Sequence, residues 1–488
     1  MNYMFCLTGL FSMLALSLFS FQKETAVRPN ILFILADDWS YPYASIYGDH
    51  TLKTPNLDKL AQHGTVFTNA YCASPSCTPS RAAMLTGRYP HNLGEGVNLC
   101  GRLDYSIPTY VQLLEKEGYS VAFDRKGWAP GDFRKMGYKQ NPAGDSAKAG
   151  FAPFIDQLPK GKPFFFWFGT NDPHRPFDLG NGKKAGIDPQ KIHLPKFLPD
   201  VPEIRGDVAD YLSEVERLDR EIGDLLKKLE TSGQLENTII VVASDNGMPF
   251  PHAKANLYDY GTRVPLLISR FTKKTNQPKR NDSFVNLIDL MPTFLDWAEV
   301  KQRPAVDGIS LLPVLSGQKT VHRAEVFLER ERHCLCRPEF DYGAGYPMRA
   351  IRTKDYLYIR NFRPDRMPAG DETIPNTPSI FGDVDGGPTK IYMMDHRNDS
   401  AVKPLFALGF AKRPAEELYV LKDDPYNLHN KAKDAALTQI KNGLRQRLTK
   451  WMQEENDPRQ RGGGDQIDKY ESTTHAWITR DGIIFLDE

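Results

Sequence analysis

Four short apolar segments each end abruptly in polar residues, and this pattern most constrains the fold of the 488-residue chain. The segments cover residues 31–36, 121–123, 164–168 and 239–243. Continuous apolar runs of strand length are typical of strands that helices cover on both faces, as in a parallel sheet. Open parallel sheets bind ligands beyond the carboxyl ends of their strands. We therefore expect an α/β fold in which the polar residues after these segments meet at one edge.

Helical patterns lie between the apolar segments. Thr54 followed by Pro55 resembles an N-cap with proline at the first helical position. Residues 209–230 carry Leu, Ile and Val at helical spacing with charges between them, which predicts a helix packed on the sheet. The sequence thus predicts a large, mostly parallel sheet flanked by helices.

A second, smaller domain is expected in the C-terminal part. Its indications are an aromatic, alternating segment at 356–362, a loop rich in Pro and Gly at 364–388, and a helical pattern at 435–451. They predict an α+β domain with antiparallel strands and a terminal helix. We place the catalytic domain at residues 27–345 and the smaller domain at residues 346–488.

The N-terminus has the composition of a signal peptide, which we place at residues 1–22. Residues 5–21 are apolar with small residues between, and charge first appears at Lys23. The alternative is an uncleaved membrane anchor, because no Lys or Arg precedes the apolar run. The run is short for a membrane span. We expect an exported protein, periplasmic or secreted, or one anchored by this segment.

Charge and cysteine content restrict the function. The formal net charge of +1 argues against a nucleic-acid partner, since such proteins carry a clear excess of Lys and Arg. Of the six cysteines, Cys6 lies in the predicted signal peptide, which leaves five. An odd number in an exported protein suggests that one cysteine has a special role.

Cys77 is the cysteine whose context is most informative. Pro79 near the start of a predicted helix places Cys77 at the amino end, where free N–H groups and the helix dipole favour an anion. Taken alone, the same context fits a buried structural cysteine in a helix-capping turn.

The segment Ser-Cys-Thr-Pro-Ser-Arg at 76–81, followed by Leu-Thr-Gly-Arg at 85–88, fits the C-x-P-S-R motif, and the chain resembles the type I sulfatases. The resemblance implies an alkaline-phosphatase-like fold. It also implies that a maturation enzyme oxidises Cys77 to formylglycine, whose hydrate is the nucleophile. Arg81 would hold and polarise that hydrate.

Asp37-Asp38 and Asp245-Asn246 are the candidate metal ligands. Carboxylate and amide oxygens are the ligands that Ca²⁺ prefers. Each pair alone fits a turn or a helix cap equally well. Both pairs match the sulfatase patterns A-D-D and S-D-N-G, and the resemblance implies one Ca²⁺ held by these four residues and residue 77.

The resemblance also supplies cations and a proton donor. Pro173-His174 matches the P-H motif of the family, and Lys254, Tyr258 and the Arg-Val-Pro at 263–265 match K-x-x-x-Y followed by R-V-P. By this resemblance Lys126, His174 and Lys254 bind sulfate oxygens, and His174 or Lys254 protonates the leaving group.

One position departs from the family pattern. The motif G-K-x-H normally supplies a histidine that acts as the base in sulfate release, whereas here Trp128 stands at its place, two residues after Lys126. An indole N–H only donates. His252 or a metal-bound carboxylate is the alternative base.

The chain most resembles the heparan N-sulfatase (sulfamidase) branch, over residues 28–459. Shared segments include 172–175, 249–251, 346–349 and 417–419. The resemblance implies a sulfated saccharide substrate with an N- or O-linked sulfate. Specificity depends on loops such as 329–340, which differ from those of sulfamidase. The candidate substrate-binding residues are Arg175, His252, Arg332 and His333, and surface charge is the alternative interpretation for Arg175, Arg332 and His333.

Two other functions remain open from the sequence. A phosphate or phosphonate ester hydrolase of the same fold needs a similar metal and similar cations, but commonly uses Thr or Ser as nucleophile. A catalytically weak protein that binds sulfated glycans is suggested by Trp128 alone.

Overall fold

Eight strands form one central sheet in the computed structural model. The structure describes residues 28–272, 279–339, 343–374, 377–473, 476–479 and 481–485, so the predicted signal peptide lies outside the described residues. The strands are β1 Asn30–Ala36, β2 Gly64–Tyr71, β3 Ser120–Arg125, β4 Asp145–Ser146, β5 Phe164–Gly169, β6 Thr238–Ser244, β7 Arg263–Arg270 and β8 Lys279–Asn286. Their order is β4-β3-β5-β1-β6-β7-β2-β8.

The four apolar segments of the sequence lie in β3, β5, β1 and β6, which are neighbours in this order. These four strands are parallel, and only β7 runs antiparallel to its neighbours β6 and β2. The expected α/β fold with a large, mostly parallel sheet is therefore confirmed.

Strand β1 is buried on both faces, which explains its unbroken apolar sequence. Phe33 and Leu35 pack into the apolar cluster on one side of the sheet, and Leu32 and Ile34 pack into the cluster on the other side. Alternate side chains of a strand point to opposite faces, so both faces need apolar residues.

The helices surround this sheet and also support the second part of the chain. They are α1 Pro55–Gln62, α2 Cys77–Thr86, α3 Tyr110–Lys116, α4 Phe151–Asp156, α5 Asn181–Lys184, α6 Pro202–Thr231, α7 Asp259–Thr262, α8 Leu290–Trp297, α9 Leu312–Leu315, α10 Pro388–Asp395, α11 Lys403–Phe410 and α12 Thr438–Glu454. The predicted helices after Thr54, at 209–230 and at 435–451 correspond to α1, α6 and α12. None of the described helices has the length and apolar character needed to cross a membrane.

A separate antiparallel sheet of four strands forms the smaller part, as the sequence predicts. It contains β9 Glu325–Arg330, β10 Met348–Thr353, β11 Tyr356–Asn361 and β12 Glu416–Val420, in the order β12-β11-β10-β9. The short strands β13 Ala476–Ile478 and β14 Ile483–Phe485 pair with each other. Helix α12 packs on the four-stranded sheet, where Trp451 stacks on Phe327 with ring centroids 4.8 Å apart. The four-stranded sheet thus begins with β9, before the predicted domain boundary. The division of the chain between residues 345 and 346 stays a prediction.

A buried group of charges fastens the C-terminal segment to this sheet. Arg349 on β10 contacts Asp457 after α12 at 2.6 Å, Glu331 at 2.8 Å and Glu329 at 3.2 Å, and all four side chains are buried. His91 contacts the same Glu329 at 2.8 Å. The Arg349 guanidinium therefore contacts all three buried carboxylates, while His91 beside Glu329 and Arg459, 2.6 Å from Glu331, add further positive charge.

Replacing Arg349 with Met should strongly destabilise the fold, because it removes the guanidinium that contacts all three buried carboxylates and is the main counterion of Asp457. Removing one partner of a buried ion pair costs about 3–5 kcal/mol. The matched control is Arg397→Met, whose partner Glu372 is exposed, where the cost should stay below about 1 kcal/mol. Urea unfolding followed by tryptophan fluorescence measures both, and equal midpoints for the two variants would contradict the proposed role of Arg349.

Candidate active site

Three carboxylates and one thiol meet at the carboxyl edge of the central sheet. Asp37 and Asp38 directly follow β1, Asp245 follows the neighbouring β6, and Cys77 begins α2. One ligand atom from each of these four side chains lies within 4.8 Å of the others, and all four residues are buried. We call this group the acidic cluster.

The register of the sheet brings the acidic cluster together. Ala36 pairs with Ser244, so Asp37 and Asp245 leave β1 and β6 at the same level. The Asp245 N–H donates to the Ala36 carbonyl at 3.2 Å, and the Asp38 N–H donates to Asp245 Oδ1 at 3.2 Å. The two strand ends are therefore tied to each other through backbone groups.

Helix α2 presents Cys77 to this edge. Its N-cap residue Ser76 is extended, and Cys77 is the first helical residue. Pro79 occupies the first turn, where N–H groups have no partner within the helix, so its missing N–H costs no hydrogen bond. The Cys77 Sγ lies 3.5 Å from Asp37 Oδ1. The sequence-based prediction that Cys77 lies at the amino end of a helix is thus confirmed.

Arg81, one turn further along α2, is fixed in the acidic cluster by several contacts. Its Nε donates to Asp245 Oδ2 at 2.7 Å, and its Nη1 donates to the Lys126 and Gly127 carbonyls at 3.0 and 2.8 Å. Its Nη2 lies 3.5 Å from Asp37 Oδ1. These contacts hold the guanidinium beside Cys77 in one orientation.

Three further cationic or titratable side chains surround the cluster. Lys126 Nζ donates to Asp37, and Lys254 Nζ donates to Asp38 Oδ2 at 2.7 Å. His174 Nε2 lies 3.7 Å from the same Asp38 oxygen, with a side chain that is 23% exposed. All five residues of the predicted catalytic group, Cys77, Arg81, Lys126, His174 and Lys254, are therefore brought together.

The pKa values of the carboxylates reflect their crowding. Burial and the Asp37 charge raise the pKa of Asp38 despite the opposing effect of Lys254. Burial also raises the pKa of Asp245, although Arg81 lowers it in part. For Asp37, Lys126, His174 and Arg81 outweigh burial and hold the pKa well below its usual range. Buried carboxylates with raised pKa values are stabilised by an additional cation.

The donor atoms fit a hard divalent cation. Asn246 Nδ2 donates to Asp38 Oδ1 at 2.6 Å, whereas the buried Asn246 Oδ1 has no hydrogen-bond partner among the described residues. Together with Asp37, Asp38 and Asp245, this amide oxygen completes a set of oxygen donors that suits Ca²⁺. No histidine belongs to the acidic cluster, which makes it a poor match for zinc.

The proton state of the two candidate acids differs. Burial would lower the pKa of Lys254, but Asp38 and Asp385 raise it well above its ordinary value, so this lysine is charged. Burial and the Lys254 charge lower the pKa of His174 to about 4. His174 is therefore neutral near pH 7 before an anion binds.

Three of the four predicted substrate-binding residues do not reach the acidic cluster. The Arg175 guanidinium makes two bonds to Asp207, at 2.9 and 2.6 Å, and lies over the rings of Phe177 and Phe250. Arg332 donates to the carbonyls of residues 343, 468, 470 and 471. Both arginines are buried and bound by protein groups, which weighs against the prediction that they contact substrate.

His252 is also held away from the cluster. Its ring nitrogens lie 3.2–3.3 Å from the carbonyls of Leu408, Tyr426 and Asn427, and its ring stacks on Tyr258 at 4.0 Å. Burial and the Arg413 charge lower its pKa to about 3. This environment weighs against His252 both as a substrate contact and as the replacement base.

His333 is the exception among the four predicted residues. Its Nδ1 lies 2.8 Å from Ser76 Oγ, directly before Cys77. Burial lowers its pKa to about 4, while the nearby Asp383 opposes the shift. His333 thus borders the acidic cluster through the N-cap residue of α2.

Asp385 belongs to the site but carries no sequence signal. Its Oδ2 accepts a hydrogen bond from Lys254 Nζ at 3.1 Å, and its charge acts on both His174 and His333. It lies in the loop before α10, within the segment rich in Pro and Gly, and matches no motif. Only tertiary structure brings it to Lys254.

Trp128 fills the position of the family histidine with an apolar contact. Its side chain is buried in the apolar cluster that includes Phe123 and Trp167. Its Nε1 has no hydrogen-bond partner among the described residues. The indole thus provides no base at this position.

A buried set of carboxylates beside a helix amino end and fixed cations is the arrangement of a hydrolase that acts on an anionic group. The sulfatase family model matches residues 29–300, more than half of the chain. The chain therefore belongs to the sulfatase family and is a sulfatase. A model described as N-sulphoglucosamine sulphohydrolase, C-terminal, matches residues 251–365.

Individual relatives agree with this family. Human N-sulphoglucosamine sulphohydrolase is 28% identical over 485 residues, which covers 88% of this chain and 91% of the relative. An ulvan-active sulfatase of Formosa agariphila is 27% identical and covers 89% of this chain and 82% of its own. A solved structure in complex with its substrate D-glucosamine-2-N,6-O-disulfate superposes with a TM-score of 0.62 at 20% identity, covering 88% of this chain and 98% of that one. The structural likeness supports the fold.

Replacing Asp385 with Asn should reduce turnover of an aryl sulfate and shift its pH dependence. A charge-assisted hydrogen bond contributes about 1.5–3 kcal/mol, so kcat/KM should fall about tenfold or more. Because the Asp385 carboxylate raises the pKa of Lys254, its removal should move the alkaline limb of the profile to lower pH.

The control for Asp385 is Asp365→Asn, which removes an exposed carboxylate from the same loop. Its kcat/KM and pH profile should match those of the wild type. An unchanged alkaline limb in Asp385→Asn would show that Asp385 does not stabilise the charged Lys254 during turnover.

Proposed function

We propose that the protein removes N- or O-linked sulfate groups from a sulfated saccharide, using Ca²⁺ and a formylglycine formed from Cys77. The observation that carries this proposal is the position of Cys77 at the start of α2, where its Sγ lies within 4.8 Å of an oxygen from each of three buried carboxylates and beside Arg81 and Lys126. A maturation enzyme that acts on the C-x-P-S-R segment is part of the proposal. Export of the protein, with residues 1–22 as its signal peptide, is also part of the proposal.

Charge complementarity supports an anionic substrate group. The free N–H groups of the first turn of α2 and the side chains of Arg81, Lys126 and Lys254 all favour a tetrahedral anion. Because these cations are fixed by Asp37, Asp38 and Asp245, they need little rearrangement when a sulfate approaches. Preorganised charge of this kind is the main source of electrostatic stabilisation in enzymes.

The proposed cofactors fit the residues that would hold them. Asp37, Asp38, Asp245 and the Oδ1 of Asn246 would bind Ca²⁺. When present, Ca²⁺ and formylglycine would together supply a charge-stabilised oxygen nucleophile. Burial raises the pKa of the Cys77 thiol well above its ordinary value, so an unmodified cysteine would be a neutral and weak nucleophile.

The chain itself would position the sulfate and deliver the proton. Arg81 would orient residue 77, and Lys126 and Lys254 would bind sulfate oxygens. Lys254 already carries a proton, whereas His174 would gain one only when the anionic sulfate raises its pKa. Either residue could then donate to the leaving oxygen or nitrogen, and His174, which is partly exposed, is open to the substrate side.

The relatives favour a glycan as the substrate. Their names include an N-sulphoglucosamine sulphohydrolase and an ulvan-active sulfatase, so both sulfamide and sulfate ester bonds fall within the proposal. The alternative, a protein that binds sulfated glycans with little turnover, is favoured by Trp128 alone. A phosphate or phosphonate ester hydrolase is disfavoured because Cys77 within C-x-P-S-R replaces the Thr or Ser nucleophile.

Release of sulfate from defined saccharides tests the function. The matured protein should be incubated with N-sulfated, 6-O-sulfated and 2-O-sulfated glucosamine or uronate saccharides, with chondroitin and ulvan fragments, and with an aryl phosphonate. Sulfate release from one saccharide class, lost in Cys77→Ala, is the expected result. Binding without sulfate release would support a protein that binds sulfated glycans with little turnover. Turnover of the aryl phosphonate alone would support a phosphate or phosphonate ester hydrolase.

The active protein should carry formylglycine at position 77, because a buried neutral thiol is a weak nucleophile. Mass spectrometry of the tryptic peptide spanning residues 60–81 should show the loss of sulfur. This peptide also contains Cys72, so fragmentation must assign the change to residue 77. Fully active protein with only unmodified Cys77 would contradict the assignment.

Calcium should stabilise the protein as well as activate it, because it would neutralise buried carboxylates whose pKa values are raised. A ligand at about 100 times its Kd stabilises the folded state by about 2.7 kcal/mol. Thermal unfolding of the chelated protein should therefore shift upward on addition of Ca²⁺, and Asn246→Ala should need more Ca²⁺ for the same shift. A larger shift with Zn²⁺, with restored activity, would contradict the proposed ligand set.

A further inference from the structure

A cleft of about 680 Å³ lies between the central sheet and the four-stranded sheet. Its walls include Tyr41 after β1, Arg263 at the start of β7, Lys354 between β10 and β11, and Lys422 and Tyr426 after β12. No residue of the acidic cluster lines it. Both parts of the protein therefore build a second concave surface.

Aromatic rings form two walls of this cleft. The Arg263 guanidinium lies 3.8 Å from the ring centroid of Tyr41 and is fixed by two hydrogen bonds to the Thr68 carbonyl, at 2.9 and 2.6 Å. Elsewhere in the lining, the Tyr426 ring stacks with Tyr260, at 5.9 Å, and with His193, at 6.1 Å. Because protein groups cover these ring faces, the rings give the cleft rigid walls that present ring edges and a few polar groups to a ligand.

The cleft has an excess of positive charge. Within the lining, Arg352 neutralises Asp259 through two hydrogen bonds of 2.8 Å. Arg263, Lys354 and Lys422 form no ion pair with any described carboxylate, and both lysines are exposed. The remaining acid in the lining is Asp355. Three cations against one carboxylate is a local excess in a chain whose formal net charge is only +1, and it favours an anionic ligand.

The cleft is close to the acidic cluster along the chain. Tyr41 follows Asp38 by three residues, so their Cα atoms are at most about 11 Å apart. The intervening Ser40 donates to the Tyr260 carbonyl at 2.6 Å, which ties the two regions together. Strand β1 ends and β7 begins at the same edge of the sheet.

We propose that this cleft binds a non-reacting part of a sulfated oligosaccharide whose sulfate is cleaved at the acidic cluster. Arg263, Lys354 and Lys422 contact sulfate or carboxylate groups, and the edges of the aromatic rings pack against the sugar units. This inference rests on the proposed function for its substrate class. It adds that the protein binds chains of several sugars more tightly than single sugars.

Binding is tested with the Cys77→Ala protein, which cannot be matured and so does not consume the ligand. Isothermal titration calorimetry with a heparin hexasaccharide and a chondroitin sulfate hexasaccharide distinguishes the two sources of sulfated chain. In this background, Lys354→Gln with Lys422→Gln should weaken binding of the preferred hexasaccharide by about tenfold, the loss expected from two solvent-exposed ion pairs. A chemically desulfated hexasaccharide should bind weakly both to the Cys77→Ala parent and to the variant that also carries the two lysine substitutions.

The matched control is Lys227→Gln with Lys403→Gln, which removes the same charge from exposed positions on α6 and α11 outside the cleft. Binding by this control should equal that of the parent. Equal weakening by both double variants would show only a general charge effect and would overturn the proposal. The proposal would also be overturned if the cleft variant, Lys354→Gln with Lys422→Gln, bound the hexasaccharide as tightly as its parent and unfolded at the same temperature.

Turnover provides the second test and separates this proposal from the proposed function. The ratio of kcat/KM for the hexasaccharide to kcat/KM for a sulfated monosaccharide should fall about tenfold in the cleft variant of the matured protein. An unchanged ratio would overturn the cleft proposal while leaving the sulfatase site intact. If no saccharide loses sulfate, the proposed function fails, and the calorimetry still decides whether the cleft binds sulfated chains.

Discussion

The charge balance of the acidic cluster is the constraint on which the rest of the site depends. Asp37, Asp38 and Asp245 are all buried, and three carboxylates so close together repel one another in a medium that screens charge poorly. Arg81, Lys126 and Lys254 offset that repulsion from three directions. Three cations already balance these three carboxylates, so an added divalent cation would leave an excess of positive charge that favours an anionic ligand.

Distant parts of the chain hold these charges in position. The loop that carries His174 is fixed at both sides, since the Asp172 carbonyl accepts the Asp37 N–H and the Asp172 carboxylate binds Arg217 on α6. The neighbouring Arg175 binds Asp207, also on α6. The second part of the chain contributes Asp385 beside Lys254 and His333 beside Ser76. The central sheet therefore supplies the acidic cluster, and the elements around it set the geometry of the titratable groups.

Local patterns predicted the features that depend on sequence-adjacent residues. Buried parallel strands need unbroken apolar runs, so β1, β5 and β6 were visible in the sequence, as was the start of α2 at Cys77. Residue type alone does not identify a partner far along the chain. Arg175 looked like a substrate contact because Asp207 lies 32 residues away, and Asp385 matched nothing because its partner Lys254 is 131 residues distant. The antiparallel direction of β7 likewise depends on tertiary pairing with β2.

The replacement of the family histidine by Trp128 shifts the acid-base chemistry onto the remaining groups. The indole packs in the apolar cluster, and His252 is enclosed by carbonyl groups, so neither can exchange protons with a ligand at the acidic cluster. Among the described residues, His174 is the imidazole in contact with a carboxylate of that cluster, and it is partly exposed. Its lowered pKa leaves it neutral and able to accept a proton, and a bound sulfate would raise that pKa toward the physiological range. One imidazole with two accessible proton states is therefore what the described part of this chain places at the acidic cluster, where the family motif would add a second histidine.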